Sequence, residues 1–207
     1  MEILTVCTGN ICRSPLGELL LATRLADLDA TVASAGVRGL RAAPMTPEAQ
    51  DLAAEYGVPA ERAAAHRSRY LTEAMLSSPD LILAMTRDHR REIAELAPAR
   101  LRSTFTVREF ARLAASLGDD ELRDAADAAA PALSAEASTP HDAAGTRLRA
   151  IAAAVAGRRG LVPPPTATDD DDVIDPYGRS VATYRLSAEH LVPALAQVER
   201  VVRIAAG

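Results

Sequence analysis

Cys7 and Arg13 frame the stretch with the clearest chemical content: Thr8-Gly9-Asn10-Ile11-Cys12 lies between them and Ser14-Pro15 follows at once. A loop of this length, curled between a strand and a helix, turns successive backbone N–H groups inward and makes a concave anion site, reinforced by the positive end of the helix dipole. Such a cradle suits a phosphate. Arg13 adds a planar fork of donors that matches two phosphoryl oxygens, a geometry Lys does not offer. Cys7, at the base of the site, is surrounded by these positive groups, and they favour the thiolate, the nucleophilic form. Gly9 and Asn10 are residue types that tolerate left-handed backbone, and the Ser14 hydroxyl can point at the sulfur. Thr8, Gly9, Asn10, Ile11, Cys12, Arg13 and Ser14 are therefore the candidate phosphate-binding residues.

The spacing alone is weak, because all 23 basic residues are Arg and an Arg six positions after a Cys arises easily by chance. A Cys so placed can be a buried, inert side chain. A zinc site needs a full tetrahedral set of ligands, whereas the chain has only two Cys and His66, His89, His141 and His190 show no ligand spacing near them. No metal and no cofactor is assigned. Specificity comes from the surroundings: a strand before the loop, Gly-Asn within it and a helix after it.

The elements that must position this loop read as alternating strands and helices. Ile3–Val6 is an apolar strand, and Ser14 begins a helix with Pro15 in its first turn and Leu16, Leu19, Leu20 and Leu25 on one face. Thr31–Ala35 is a second strand closed by Gly36, and Thr46-Pro47-Glu48 opens a helix running to about Tyr56. Asp80–Met85 is a buried strand, followed by a polar helix from Thr86 to about Leu96. Arg102–Val107 reads as a fourth strand and Arg108–Leu117 as the helix behind it. Strands separated by helices imply parallel βαβ units. The predicted fold is α/β: a small doubly wound four-stranded parallel sheet with helices on both faces. Ligands of such sheets bind outside the carboxyl ends of the strands, where Cys7 falls.

From about residue 118 to 168 the texture changes to Ala, Asp and Ser, with helical composition in Asp119–Ala130 and Asp142–Ala156. Leu148, Ile151 and Val155 share a face that should pack on the domain. Pro163–Pro165 and Asp169–Asp172 read as a stiff, solvated connection. Val181–Ile204 is a long helix whose Leu186, Leu191, Leu195, Val198 and Val202 should cover the sheet.

The stretch "VCTGNICRSP" closely resembles the signature loop of the low-molecular-weight protein tyrosine phosphatases. "SAG" at 34–36, "DLILAM" at 80–85 and "DPYG" at 175–178 resemble the same family in the same order, and the whole is most similar to its bacterial branch, whose members are similar to regulators of exopolysaccharide tyrosine kinases. The resemblance implies that Cys7 attacks the phosphorus of a phosphomonoester to give a cysteinyl-phosphate that water hydrolyses, with Arg13 holding the equatorial oxygens. It implies Asp175 as the general acid for the leaving phenolate. Beside the acidic run, Asp175 would otherwise read as solvated loop. Tyr177 suits the pocket mouth, although this chain has Gly178 where some relatives carry a second aromatic residue. Ile11 resembles the tyrosine-specific members, while phosphoarginine phosphatases tend to carry Thr there. Leu40 is a candidate apolar contact, or an ordinary core or surface Leu. The same resemblance brings two other readings: an arsenate reductase-like or phosphoarginine phosphatase relative, and a non-catalytic phosphopeptide reader. No Cys follows Cys12, so an arsenate reductase relay through distal cysteines is absent. Cys12 is open to two readings, a reversible disulfide with Cys7 or passive packing under the loop. The extra material at about 118–168, before the acid loop, departs from the family.

The remaining limits come from composition. With 207 residues, 48% of them hydrophobic and 25% charged, the chain can bury one core, most simply as a single phosphatase domain over 1–207. A spread net charge of −5 gives no basic field for nucleic acid or an anionic membrane. No apolar stretch is long enough for membrane insertion, and no signal peptide is seen. Two cysteines in one loop suit the reducing cytoplasm. The implied partner is a tyrosine-phosphorylated protein, a bacterial tyrosine kinase being the example the resemblance suggests.

Overall fold

The computed structural model describes residues 1–129 and 140–207. Its sheet is parallel throughout, in the order β2-β1-β3-β4, with β1 at Glu2–Cys7, β2 at Thr31–Gly36, β3 at Leu81–Ala84 and β4 at Thr104–Thr106. The predicted four-stranded sheet is thus present. Its register aligns Cys7 with Gly36 and Val6 with both Ala35 and Ala84, so the phosphate loop leaves the sheet level with the ends of its neighbours.

The apolar runs form strands because both faces of the sheet are covered, as parallel sheets require. Leu4, Val6, Ile82 and Ala84 point into one core with Leu71, Leu76 and Ile93. Ile3, Leu81, Leu83 and Met85 point into the larger core on the other face. That face carries α1 (Arg13–Arg24), α6 (Val107–Ala114) and the long C-terminal helix α9 (Val181–Ala206). Between them run α2 (Pro47–Glu55), α3 (Ala60–Ala65), α4 (Glu73–Ser77), α5 (Arg87–Leu96), α7 (Asp119–Asp127) and α8 (Pro140–Ala156). Threonines at strand–helix junctions start the helices: Thr46 caps α2, Thr86 caps α5, and Thr106 forms a capping box with Glu109 at α6.

Four features differ from the sequence reading. Pro98–Ser103 is a 3₁₀ turn, so β4 begins only at Thr104; it ends at Thr106 because that residue caps α6. The helices α3 and α4 are too short to show a periodic signal. Leu186 is exposed, because Tyr184, Ser187 and Ala188 face the core at that turn of α9, while the predicted Leu191, Leu195, Val198 and Val202 are buried. The fourth is Asp171, taken up with the site below. The segment predicted as Asp119–Ala130 ends partly outside the described residues; Leu148, Ile151 and Val155 of α8 are buried in the larger core.

Candidate active site

The loop from Cys7 to Arg13 is tied down by its carbonyls. Cys7 O accepts from Val37 N–H at 2.9 Å, Thr8 O from Arg38 N–H at 2.9 Å, and Gly9 O from Leu40 N–H at 3.4 Å. Asn10 O accepts from His66 Nε2 at 2.9 Å, Ile11 O from Thr46 N–H at 3.0 Å, and Cys12 O from Leu16 N–H at 3.1 Å. In a trans peptide the N–H points opposite to the C=O, and no peptide here is cis. Consecutive carbonyls bonded outward therefore leave the N–H groups of residues 8–13 converging inward, a nest for an oxyanion. One of them is seen in use: Asn10 N–H donates to Cys7 Sγ at 3.3 Å.

Asn10 is the pivot of the curl. It sits at φ 56°, a left-handed conformation that Asn adopts more readily than most residues. Its Nδ2 donates to Ser14 Oγ at 3.0 Å and Ser34 Oγ at 2.7 Å, and its Oδ1 accepts from Arg69 N–H at 2.8 Å. Ser34 in turn donates to Glu18, and Ser14 Oγ lies 2.9 Å from Cys7 Sγ. Gly36 completes the support by its lack of a side chain: a Cβ there would meet Thr8 O at 2.5 Å and Asn10 N at 3.0 Å.

Arg13 is buried, and its guanidinium bridges the cradle to the acid loop. Its Nη2 lies 2.7 Å from Asp175 Oδ2, while Nη1 donates to Val173 O at 3.1 Å. Val173 itself is anchored to the end of β3 through its N–H to Met85 O, at 2.8 Å. Asp175, distant in sequence from the cradle, is thereby delivered to it. Upstream, Asp171 is not part of a solvated run. It is 4% exposed and accepts from Arg112 Nη2 at 2.9 Å and Arg87 Nη2 at 3.1 Å. Burial opposes its charge, yet the bonds from Arg112 and Arg87 hold its carboxyl below the ordinary value. Asp172 accepts from Arg87 N–H at 2.8 Å. These contacts convert an acidic stretch into a clasp on the loop that carries Asp175.

The mouth of the site is a cavity of about 220 Å³ in which Cys7 and Arg13 lie below Ile11, Leu40 and Tyr177. All the sequence-predicted site residues line this cavity except Asn10 and Ser14, which reach Cys7 Sγ from outside it. Cys12 also lines the cavity, and its sulfur lies 3.5 Å from Thr46 Oγ1 and 3.6 Å from Tyr184 Oη. Both cysteines are free, and burial pushes the Cys12 thiol up. Among the described residues no cluster of His, Cys, Asp or Glu is placed to hold a metal ion.

A family model, that of the low molecular weight phosphotyrosine protein phosphatases, matches residues 2–127, more than half of the chain. The chain belongs to this family. Within it, low molecular weight protein-tyrosine-phosphatase Etp of Escherichia coli is 49% identical over 97 residues, 47% of this chain and 62% of Etp. The aligned part therefore spans less than two thirds of that relative. The protein-arginine-phosphatase of Bacillus subtilis is 38% identical over 112 residues, 53% of this chain and 72% of the relative. Among solved structures, a YwlE mutant from Bacillus subtilis superposes with a TM-score of 0.64 at 25% identity, covering 98% of this chain and 99% of that one. The candidate acid of this chain, Asp175, lies beyond the residues the family model matches.

Sequence reasoning passed over His89, whose Nε2 lies 2.8 Å from Thr8 Oγ1, and Arg38, which lines the mouth. A signal for His89 existed: it follows Thr86 at the carboxyl end of β3, where ligands of such sheets bind. Among the described residues, no helix is long and apolar enough to cross a membrane.

Proposed function

We propose that the protein hydrolyses phosphotyrosine through a cysteinyl-phosphate on Cys7. The observation that carries this reading is the ring of outward-bonded carbonyls around Cys7 Sγ, with the Arg13–Asp175 pair over it. The substrate's nonbridging oxygens occupy the inward amides and the Arg13 fork, where charge on the transferring group is stabilised without reorganisation. Cys7 sulfur forms a bond to phosphorus as the bond to the phenolic oxygen breaks, and Asp175 gives that oxygen a proton. Water then attacks phosphorus, Asp175 takes a proton from it, and the S–P bond breaks to release phosphate and regenerate Cys7. Asn10 and Ser14 position the sulfur.

An aryl ester is favoured by the apolar mouth of Ile11, Leu40 and Tyr177. The protein-arginine-phosphatase relative supports phosphoarginine as the second reading. The natural substrate we propose is a tyrosine-phosphorylated protein, a bacterial tyrosine kinase among the candidates. Residues 1–207 act as one catalytic domain, a reading supported by the burial of α8 against the same core as β1 and β3, and the two free cysteines suit a reducing cytoplasm.

The test is turnover of phosphotyrosine, phosphoserine and phosphoarginine peptides by the purified protein with a chelator present, and arsenate reduction beside them. Phosphotyrosine should be cleaved fastest, and Cys7→Ser should abolish cleavage while retaining phosphate binding. Binding without turnover by the native protein would make it a reader and overturn the proposal.

A further inference from the structure

The chain that follows α8 folds against α5 and α6 and helps enclose a second cavity, of about 600 Å³, separate from the mouth above Cys7. Four guanidinium groups line it, those of Arg87, Arg90, Arg112 and Arg159, with only Glu109 and Asp171 as carboxylates. The formal balance is two positive charges. Arg159 Nε donates to Glu109 at 2.8 Å and Arg90 Nε to Thr104 O at 3.2 Å, while Arg112 Nη1 donates to Pro163 O at 3.2 Å. A guanidinium carries several N–H donors, and these bonds with those to Asp171 leave each of the four with donors to spare. The heads are held in place before any ligand arrives: Arg159 stacks 4.3 Å above the Phe105 ring, and Arg112 is fixed at Nε and Nη2 by Asp171. Preorganised, partly desolvated guanidinium groups bind phosphoryl oxygens at low entropic cost. Leu161 and the proline run that follows it supply an apolar side to the same cavity. That wall lies beyond residues 2–127, the part matched to the family model.

We propose that this cavity is a binding site for a small phosphorylated molecule, its phosphate on the four arginines and its apolar body against Leu161 and the prolines. Occupancy reaches the first site through Asp171. A phosphate on the spare donors of Arg87 and Arg112 shares their charge with that carboxylate, and so weakens the clasp on the loop carrying Asp175. The effect on turnover rests on the catalytic reading given above; binding itself does not.

The experiment is an amide NMR titration of the full chain with inorganic pyrophosphate at constant ionic strength. Two groups of resonances should move with separate saturation, residues 8–14 at the cradle and residues 159–162 at the second cavity. Leu161 is 70% exposed, so Leu161→Glu should fold normally. Its added charge should weaken the second response about tenfold and leave the first unchanged. Arg112→Gln should weaken the second response as well. Shifts confined to residues 8–14, a second response indifferent to Leu161→Glu, or the same response to sodium chloride alone would overturn the proposal. A protein that binds pyrophosphate at 159–162 yet fails to cleave phosphotyrosine would refute only the earlier reading.

Discussion

His89 Nε2 lies 2.8 Å from Thr8 Oγ1, and Thr8 Oγ1 also receives Arg13 Nη2 at 3.4 Å. The guanidinium can only donate, whereas the Thr8 hydroxyl, with one proton and two lone pairs, can accept from Arg13 and still pair with His89 Nε2 in either direction. The other ring nitrogen, Nδ1, lies 2.9 Å from Thr86 Oγ1. One chain of hydrogen bonds thus runs from the cap of α5 to the phosphate-binding arginine. The surroundings favour the neutral imidazole: burial first, then the charge of Arg13, lower the His89 pKa from 6.5 to about 4.

A pH dependence of stability follows. The unfolded chain takes up a proton on His89 near pH 6.5, whereas the native protein stays neutral there down to about pH 4. Between those values the unfolded state binds more protons, so stability is retained above the window and declines as pH falls through it, by on the order of 3 kcal/mol for this group. His89→Gln keeps a hydrogen-bonding partner for Thr8, donor or acceptor, without the titration. Urea unfolding at about pH 7 and about pH 4.5 should show a smaller difference for the variant than for the native protein. An identical difference would remove His89 as the source.

The Arg13–Asp175 ion pair makes a second prediction. If Asp175 protonates the leaving oxygen, Asp175→Asn should slow phenyl phosphate cleavage by roughly 10²–10⁴-fold. The loss should be much smaller for p-nitrophenyl phosphate, whose more acidic phenol needs less protonation. Phosphate binding should hold or tighten, because Arg13 no longer shares its charge with a carboxylate. Equal losses for the two esters, read from single-turnover rates, would assign Asp175 to positioning alone.

What the sequence made legible is what depends on near neighbours in the chain. β1 and β3 are apolar on both faces and declare themselves, and the cradle is local because its strand, loop and helix are contiguous. Asp175 needed the family resemblance, since nothing in an acidic stretch says which carboxylate will meet Arg13. Asp171 was misread for the same reason: its burial is created by Arg87 and Arg112, on two other helices. His89 was marked only by its place just past the carboxyl end of β3; its bond to Thr8 depends on β1 lying alongside. Leu191, Leu195, Val198 and Val202 of α9 were legible as its buried face, and only Leu186 was misplaced, because Tyr184, Ser187 and Ala188 face the core at that turn.

Gly36 gives a third prediction. Its missing side chain is what lets β2 pass beneath the loop, where a Cβ would lie 2.5 Å from Thr8 O and 2.9 Å from Gly39 Cα. These are backbone atoms of a hydrogen-bonded loop and cannot swing aside. Gly36→Ala should cost about 1–3 kcal/mol of stability. It should also lower kcat/KM for any phosphomonoester by displacing the amides of Thr8 and Asn10. Denaturant titration and steady-state kinetics check both, and an unchanged kcat/KM would show that the cradle tolerates the shift.

Ile11 decides the last prediction, which concerns the substrate. Its side chain is nearly buried, at 7% exposure, yet it borders the mouth above Cys7 alongside Leu40 and Tyr177. A phenyl ring entering the mouth gains apolar contact with Ile11, and replacing that contact by a hydroxyl removes about 1–3 kcal/mol of discrimination. Ile11→Thr should therefore lower kcat/KM for a phosphotyrosine peptide by about 10–200-fold relative to a phosphoarginine peptide of the same sequence. The nucleophile, Arg13 and the acid are untouched by the change, so a ratio that stays constant would move the source of selectivity from Ile11 to the exposed residues Leu40 and Tyr177.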